Sequence, residues 1–199
     1  MEASGTMVFV PPCVMVVMGK GSDPAAELHA NHILADGVPV IRRGTGGCAV
    51  VLSPEMIVVS FVVLHKRQQK SAEYFRAFNR TIIRALSDQG VTHLEHAGTS
   101  DIARHGRKIA GTAIYRNRRL VFYHAVINAA GEANLMERYL KHPPRTPDYR
   151  ADRTHANFVT SLAAEGFRID LSAFQNGIET EFWRTFSSLT GQEPVTPNT

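Results

Sequence analysis

Cysteine is scarce in this chain of 199 residues: only Cys13 and Cys48 are present. Two thiols cannot form the disulfide framework of a small secreted fold, so a reducing, cytoplasmic setting is expected. No apolar run is long enough for a membrane span. Met7 to Met18 comes nearest and is interrupted by Pro11 and Pro12. The N-terminus carries Glu2 and no basic segment of the export type. A large excess of one charge is also missing. The net charge of +4 favours an anionic ligand or an acidic partner but falls short of a nucleic-acid footprint. Basic residues form no block longer than Arg116-Asn117-Arg118-Arg119 or Arg104-His105-Gly106-Arg107-Lys108. Internal repeats and domain-separating linkers are absent too, which gives one domain over 1–199, with 191–199 expected to fray.

What is present is a soluble, globular composition, 44% hydrophobic and 20% charged. Met7–Val10 and Val14–Met18 read as buried strands. Asp23-Pro24 reads as a helix start, with the helix running to Asp36 and stopping at Gly37. Its histidines, His29 and His32, read as surface residues, and His93 and His96 likewise lack a third metal ligand. Val38–Arg42, Val50–Leu52 and Met56–Leu64 read as strands, the last covered on both faces. His65–Lys70 is expected to be a polar loop. Ser71 opens a helix over Ala72–Asp88 with Phe75, Phe78, Ile82 and Leu86 on one face. Ile109–Arg116 and Leu120–Ile127 form a hairpin turning at Asn117-Arg118. A short helix over Asn134–Leu140 and a proline-rich loop over Lys141–Arg150 follow. Thr154 is expected to cap a helix over His155–Glu165, with a brief strand at Arg168–Asp170 after it. A final helix capped by Ser172 buries Phe174, Ile178, Phe182 and Phe186.

Two stretches carry chemistry. Arg42-Arg43-Gly44-Thr45-Gly46-Gly47-Cys48-Ala49-Val50 places arginines before a glycine-rich turn. Glycines there can adopt φ > 0, and successive N–H groups in such a turn make an anion-binding concavity. The arginines add charge suited to a carboxylate or phosphate. Gly106-Arg107-Lys108-Ile109-Ala110-Gly111-Thr112-Ala113 sets a lysine at the mouth of a strand, where its ammonium can face a developing oxyanion or phosphoryl group. Asp101 lies seven residues upstream, suited to Mg²⁺ or a ribose hydroxyl.

Taken together and in this order, the segments resemble the lipoate–protein ligase A family, within the biotin/lipoate ligase and octanoyltransferase superfamily. The likeness spans about Met7 to Leu162. The family's run of two arginines, Ser or Thr, three small glycines, Ala and Val is similar to Arg42, Arg43, Thr45, Gly46, Gly47, Cys48, Ala49 and Val50. Its Gly-x-Asn-Asp segment resembles Gly98-Thr99-Ser100-Asp101. Its lysine segment resembles Arg107 to Ala113, its His-Gly-Thr-Leu-Leu strand resembles His124 to Asn128, and its Val-Thr-Asn-Leu piece resembles Val159-Thr160-Ser161-Leu162.

The resemblance implies an α+β fold, a mixed and largely antiparallel sheet flanked by helices. It also implies an ATP- and Mg²⁺-dependent ligase that activates lipoate (or octanoate) as lipoyl-AMP. The acyl group then passes to a lysine of a lipoyl domain, of the 2-oxoacid dehydrogenase E2 or glycine cleavage H protein type. On that likeness Lys108 is the catalytic cation. Arg42, Arg43, Thr45, Gly46, Gly47, Cys48, Ala49 and His124 bind the acyl substrate. Asp101, Lys108, Ile109, Gly111, Thr112 and Ala113 bind the nucleotide, and Asp101 also holds the metal. No nucleic acid or membrane partner is implied.

The chain departs from the family pattern at several points. Cys48 replaces the third glycine, Ser100 the usual Asn, and Leu52 stands near a common His. The helix before the first strand and the C-terminal accessory domain of bacterial ligases are not matched, so a separate accessory subunit is expected to assist adenylation. An octanoyl or lipoyl transferase is the neighbouring reading, but no cysteine follows Cys48 to carry a thioester. The Gly-Arg-Gly-Arg-x-Gly loop of biotin ligases is missing. A non-catalytic module binding lipoate or a lipoyl domain is the reading outside enzymology.

Overall fold

A computed structural model describes residues 4–64 and 69–193. Residues 65–68 of the expected polar loop and 194–199 of the expected frayed tail lie outside them. In chain order the elements are β1 (Gly5–Phe9), β2 (Met15–Met18), α1 (Pro24–Glu27), α2 (Ala30–Ala35), β3 (Val40–Arg42), β4 (Val50–Leu52) and β5 (Met56–Leu64). These are followed by α3 (Ser71–Ser87), β6 (Leu94–Ala97), β7 (Asp101–Arg104), β8 (Arg107–Arg116) and β9 (Leu120–Asn128). The chain continues through α4 (Ala133–Tyr139), a 3-10 turn at Asp148–Arg150, α5 (His155–Phe158) and α6 (Leu171–Thr190).

Six strands form a wholly antiparallel sheet in the order β1-β5-β9-β8-β7-β6. A second sheet has the order β3-β2-β4, with β2 parallel to β3 and antiparallel to β4. The architecture is therefore α+β with a mixed, largely antiparallel strand arrangement.

Alternation along β5 and β9 divides the large sheet into two faces. Ile57, Val59, Phe61, Val63, Val121, Tyr123, Ala125 and Ile127 face α3 and α6 and make the main core with Phe78, Ile82, Phe174 and Phe182. The ring stack of Phe61 on Tyr123 and Phe182 is its centre, with centroids 5.4 and 5.2 Å apart. On the opposite face, Met56 and Val58 pack with Val17 and Leu52 of the small sheet, while Ser60 and Val62 line an open cavity. The expectation of a β5 covered on both faces therefore holds only for its first half.

Other expectations change. β1 is an edge strand with Met7 61% exposed, so it is not buried. The expected Pro24–Asp36 helix is broken at Leu28, whose backbone bridges Leu140, leaving α1 and α2. Asp23 does cap α1, accepting a bond from the Ala25 N–H at 3.0 Å. The expected His155–Glu165 helix stops at Phe158 because Val159 leaves to form a parallel bridge with Lys108. Arg168–Asp170 is not a strand; Asp170, not Ser172, caps α6 through the Ala173 N–H. Among the described residues no helix is long and apolar enough to cross a membrane.

Candidate active site

Between the second face of the large sheet and the small sheet lies a cavity of about 1150 Å³. That exceeds the usual volume for a single small ligand, roughly 300–1,000 Å³, and suits two joined ones. One sector is apolar, built from Val17, Val50, Leu52, Met56, Val58 and Met136. Another is polar and charged, with Asp101, Lys108, Thr112, Arg150 and His155.

Lys108 reaches this cavity through an irregularity in β8. Strand parity would set Lys108 on the core side with Ala110 and Ile114. Instead, Ile102 pairs with Ala110 and Ala103 with Lys108, so Ile109 is an extra residue. Ile109 and Ala110 both enter the core, and Lys108 turns to the cavity face. There it lies over Gly111: a Cβ at Gly111 would stand 3.0 Å from both Lys108 Cε and Nζ. The ammonium pairs with Asp101 Oδ1 at 2.8 Å, the lysine side chain 28% and the aspartate 9% exposed.

Asp101 is itself held. The Tyr149 hydroxyl donates to Asp101 Oδ2 at 2.9 Å. Burial and the neighbouring carboxylate push the Tyr149 hydroxyl far up, keeping it protonated as that donor. Behind the segment, the Asn79 amide of α3 donates to the carbonyls of Ser100 and Asp101, both at 3.1 Å. Tyr123 donates to Asn79 Oδ1 at 2.7 Å, and Thr112 Oγ1 to the Ser100 carbonyl at 2.6 Å. A core network thus sets the height of Asp101 above the sheet.

The expectation that Asp101 ligates Mg²⁺ meets a different arrangement. Both of its oxygens are engaged, one by an ammonium standing where a cation would sit. Among the described residues no group of three His, Cys, Asp or Glu could hold a metal. The donor set does not fit a resident metal ion.

The glycine-rich loop is also tied down differently from the expectation. Arg43 does not present a free guanidinium: it donates to Thr45 Oγ1 at 2.9 Å and to the carbonyls of Val17, Gly46 and Cys48 at 3.0, 2.7 and 2.9 Å. Arg42 Nη1 donates to the carbonyls of Gly19 and Ser22 at 2.8 and 2.9 Å. Both arginines therefore brace the loop; Arg43 also lines the cavity, whereas Arg42 and Gly46 do not. Of Gly44, Gly46 and Gly47 only Gly47 has a positive φ, at 93°. Cys48 stays outside the left-handed region, which explains how a side chain is tolerated there. Its half-buried Sγ lies 3.9 Å from the Arg145 carbonyl.

Sequence reasoning missed Glu27. Given no role within the expected Pro24–Asp36 helix, it is 6% exposed and lines the cavity. Its carboxylate accepts from the Ala49 N–H at 2.5 Å and from Ser22 Oγ at 3.1 Å. One N–H of the anticipated anion concavity is thus filled by the protein's own carboxylate. Tyr149 and Arg150 were missed as well, because the proline-rich loop carries no periodicity.

Thr45 Oγ1 also meets His124 Nε2 at 3.2 Å, linking the loop to β9. Burial, with Arg43 nearby, lowers the His124 pKa from 6.5 to about 4. His155, half-buried and with Arg150 acting on it, is lowered to about 4 as well. Both are neutral in the fold but protonate near pH 6.5 once unfolded. The unfolded chain therefore binds more protons between pH 6.5 and 4, so stability falls as pH drops through that window and levels off below it. Chemical denaturation at pH 7, 5.5 and 4.5 should show this decline. His124→Asn should flatten it, and an unchanged slope in that variant would remove His124 as its cause.

Residues 3–183 match the model of the lipoyl protein ligase A/B catalytic domain. The chain belongs to this family. It is 30% identical to the lipoate-protein ligase LplJ of Bacillus subtilis over 112 residues, 56% of this chain and 33% of that protein. In structure it resembles a bi-partite lipoate protein ligase from Thermoplasma acidophilum, studied with its E2 lipoyl domain. The TM-score is 0.78 at 17% identity, covering 92% of this chain and 71% of the other. It also resembles a lipoate-protein ligase A bound with ATP (TM-score 0.72, 18% identity, 97% and 76% covered). The chain spans about a third of the length of the curated relatives it matches. The fold is that of the lipoate-ligase catalytic domain.

Proposed function

We propose that this chain is the catalytic domain of an ATP-dependent lipoate–protein ligase. The observation that carries the reading is the cavity with one apolar sector and a Lys108–Asp101 pair in the other. The apolar walls take the acyl chain. Lys108 stands where the carboxylate must meet a phosphoryl group, offsetting the repulsion between two anions. Asp101, fixed by Tyr149 and by its backbone bonds to Asn79, positions the ammonium. The loop braced by Arg42, Arg43 and Glu27 supplies a wall through Thr45, Gly47, Cys48 and Ala49. His124 is a neutral wall residue. Ile109, Gly111, Thr112 and Ala113 form the floor under the nucleotide. Mg²⁺ enters as the counterion of ATP, held by its phosphates.

No protein nucleophile is needed, since the acyl-adenylate is the species the acceptor lysine attacks. The acceptor is a lipoyl domain, the class of protein named with the Thermoplasma ligase. The two free thiols suit a reducing cytoplasm. In the test, the protein is mixed with ATP, Mg²⁺, lipoate and an apo lipoyl domain, and the acceptor's mass is followed. The expected result is a lipoyl-sized gain that requires ATP, with an accessory subunit added in a parallel arm. Acyl transfer from an octanoyl-carrier protein without ATP would instead make the chain a transferase.

A further inference from the structure

The loop over the cavity, Lys141 to Arg153, carries a buried cation with an unmet bond. Arg150 is 3% exposed and lines the cavity. Its Nε donates to the Arg153 carbonyl at 2.8 Å, and its guanidinium lies over the Phe158 ring, 5.1 Å from the centroid. Its Nη2 is buried and has no hydrogen-bond partner among the described residues. An unsatisfied N–H on a buried guanidinium is costly, and a carboxylate would normally answer it. Among the described residues none does: Asp101, the acid of this sector, is already shared between Lys108 and Tyr149. Arg153 opposes the Arg150 charge, and at His155 Arg150 and Lys108 act in one direction and Glu137 in the other. Burial, first among the causes, lowers the Arg150 pKa in the same direction as Arg153.

Resting on the ligase reading, we propose that Arg150 binds a phosphoryl group of the nucleotide, forming with Lys108 a two-cation seat for its phosphates. A planar guanidinium suits phosphoryl oxygens, and a polyanion answers two cations better than the single carboxylate of the acyl substrate does. The geometry also ties the seat to the lysine pair. Arg150 follows Tyr149, whose hydroxyl holds Asp101, and Arg153 pins this turn by donating to the Gly106 and Tyr149 carbonyls at 3.0 and 2.6 Å. A phosphate on Arg150 thus holds the loop down over the site.

The experiment is calorimetric titration of the wild type, Arg150→Met and Arg150→Lys with inorganic pyrophosphate, AMP and MgATP, and with octanoate as a carboxylate lacking phosphorus. Met keeps an apolar stem against Phe158; Lys keeps charge without the fork. Loss of one charge-assisted bond predicts about 10- to 100-fold weaker binding of the phosphate ligands in Arg150→Met, with partial recovery in Arg150→Lys. Melting temperatures without ligand report whether each variant is folded. If Arg150→Met is not folded, Arg150→Lys decides alone, and wild-type pyrophosphate and MgATP affinities in it overturn the proposal. Unchanged phosphate affinities in a folded Arg150→Met, a loss confined to octanoate, or no phosphate binding by the wild type also overturn it. The two readings fail separately. ATP-dependent lipoylation with phosphate affinities indifferent to Arg150 sinks only the seat. Pyrophosphate binding that depends on Arg150, without any ATP-dependent lipoylation, sinks only the ligase.

Discussion

Replacing Lys108 by alanine is expected to reduce acyl-adenylate formation by about 10²–10³-fold, the range seen when one preorganised stabilising group is removed from a developing charge. The geometry behind the prediction is specific. The ammonium is held at 2.8 Å from Asp101 Oδ1 and is set on the cavity side by the extra residue Ile109. Lys108→Arg should not restore the rate, because a planar guanidinium cannot occupy the slot over Gly111, where the lysine already passes within 3.0 Å of a Cβ position. Pyrophosphate release with lipoate and ATP, measured without acceptor, isolates the first step. Wild-type release by Lys108→Ala would remove Lys108 from the chemistry. A melting temperature taken alongside separates lost catalysis from a fold weakened by leaving Asp101 without its cation.

The same lysine shows what a linear sequence can and cannot reveal. Its place beside glycines, downstream of Asp101, was legible, and so was the pairing of that segment with the glycine-rich loop. Its facing was not, since strand alternation alone sends Lys108 into the core and only the irregular pairing of β7 with β8 reverses it. The long helices α3 and α6 were legible because their buried residues recur at helical spacing over 17 and 20 residues. The breaks in the shorter helices were not, because partners distant in sequence cause them: Leu140 draws Leu28 out, and Lys108 draws out Val159. The arginines were recognised as important but assigned outward charge. Composition cannot show that carbonyls of Val17, Gly46 and Cys48 would fold around Arg43. Tyr149 and Arg150 sit in a proline-rich stretch with no pattern to read, and their value comes from what they face across the cavity.

Gly19→Ala is expected to be the most disruptive change outside the charged sector. A Cβ at Gly19 would stand 1.9 Å from the Gly47 carbonyl oxygen and 3.0 Å from its carbon. Both obstacles are backbone, so neither can swing away; the turn after β2 and the glycine-rich loop must separate. Separation would also strain the bond from Arg42 to the Gly19 carbonyl, that from Ser22 Oγ to the Gly47 carbonyl, and through Ser22 the seat of Glu27 beneath Ala49. Overpacking of this kind costs about 1–3 kcal/mol, or more where the backbone cannot yield. In a chain of this size that lowers the melting temperature by roughly 2–12 °C. Lipoate affinity should fall with it, because the wall of the acyl slot moves. Gly21→Ala provides the comparison within the same turn. Its Cβ would meet nothing within 4 Å and its φ is not positive, so stability should stay within about 0.5 kcal/mol of wild type. Thermal denaturation and lipoate titration of the two variants check both parts. Equal melting curves would mean that the approach of Gly19 to Gly47 does not hold the loop in place.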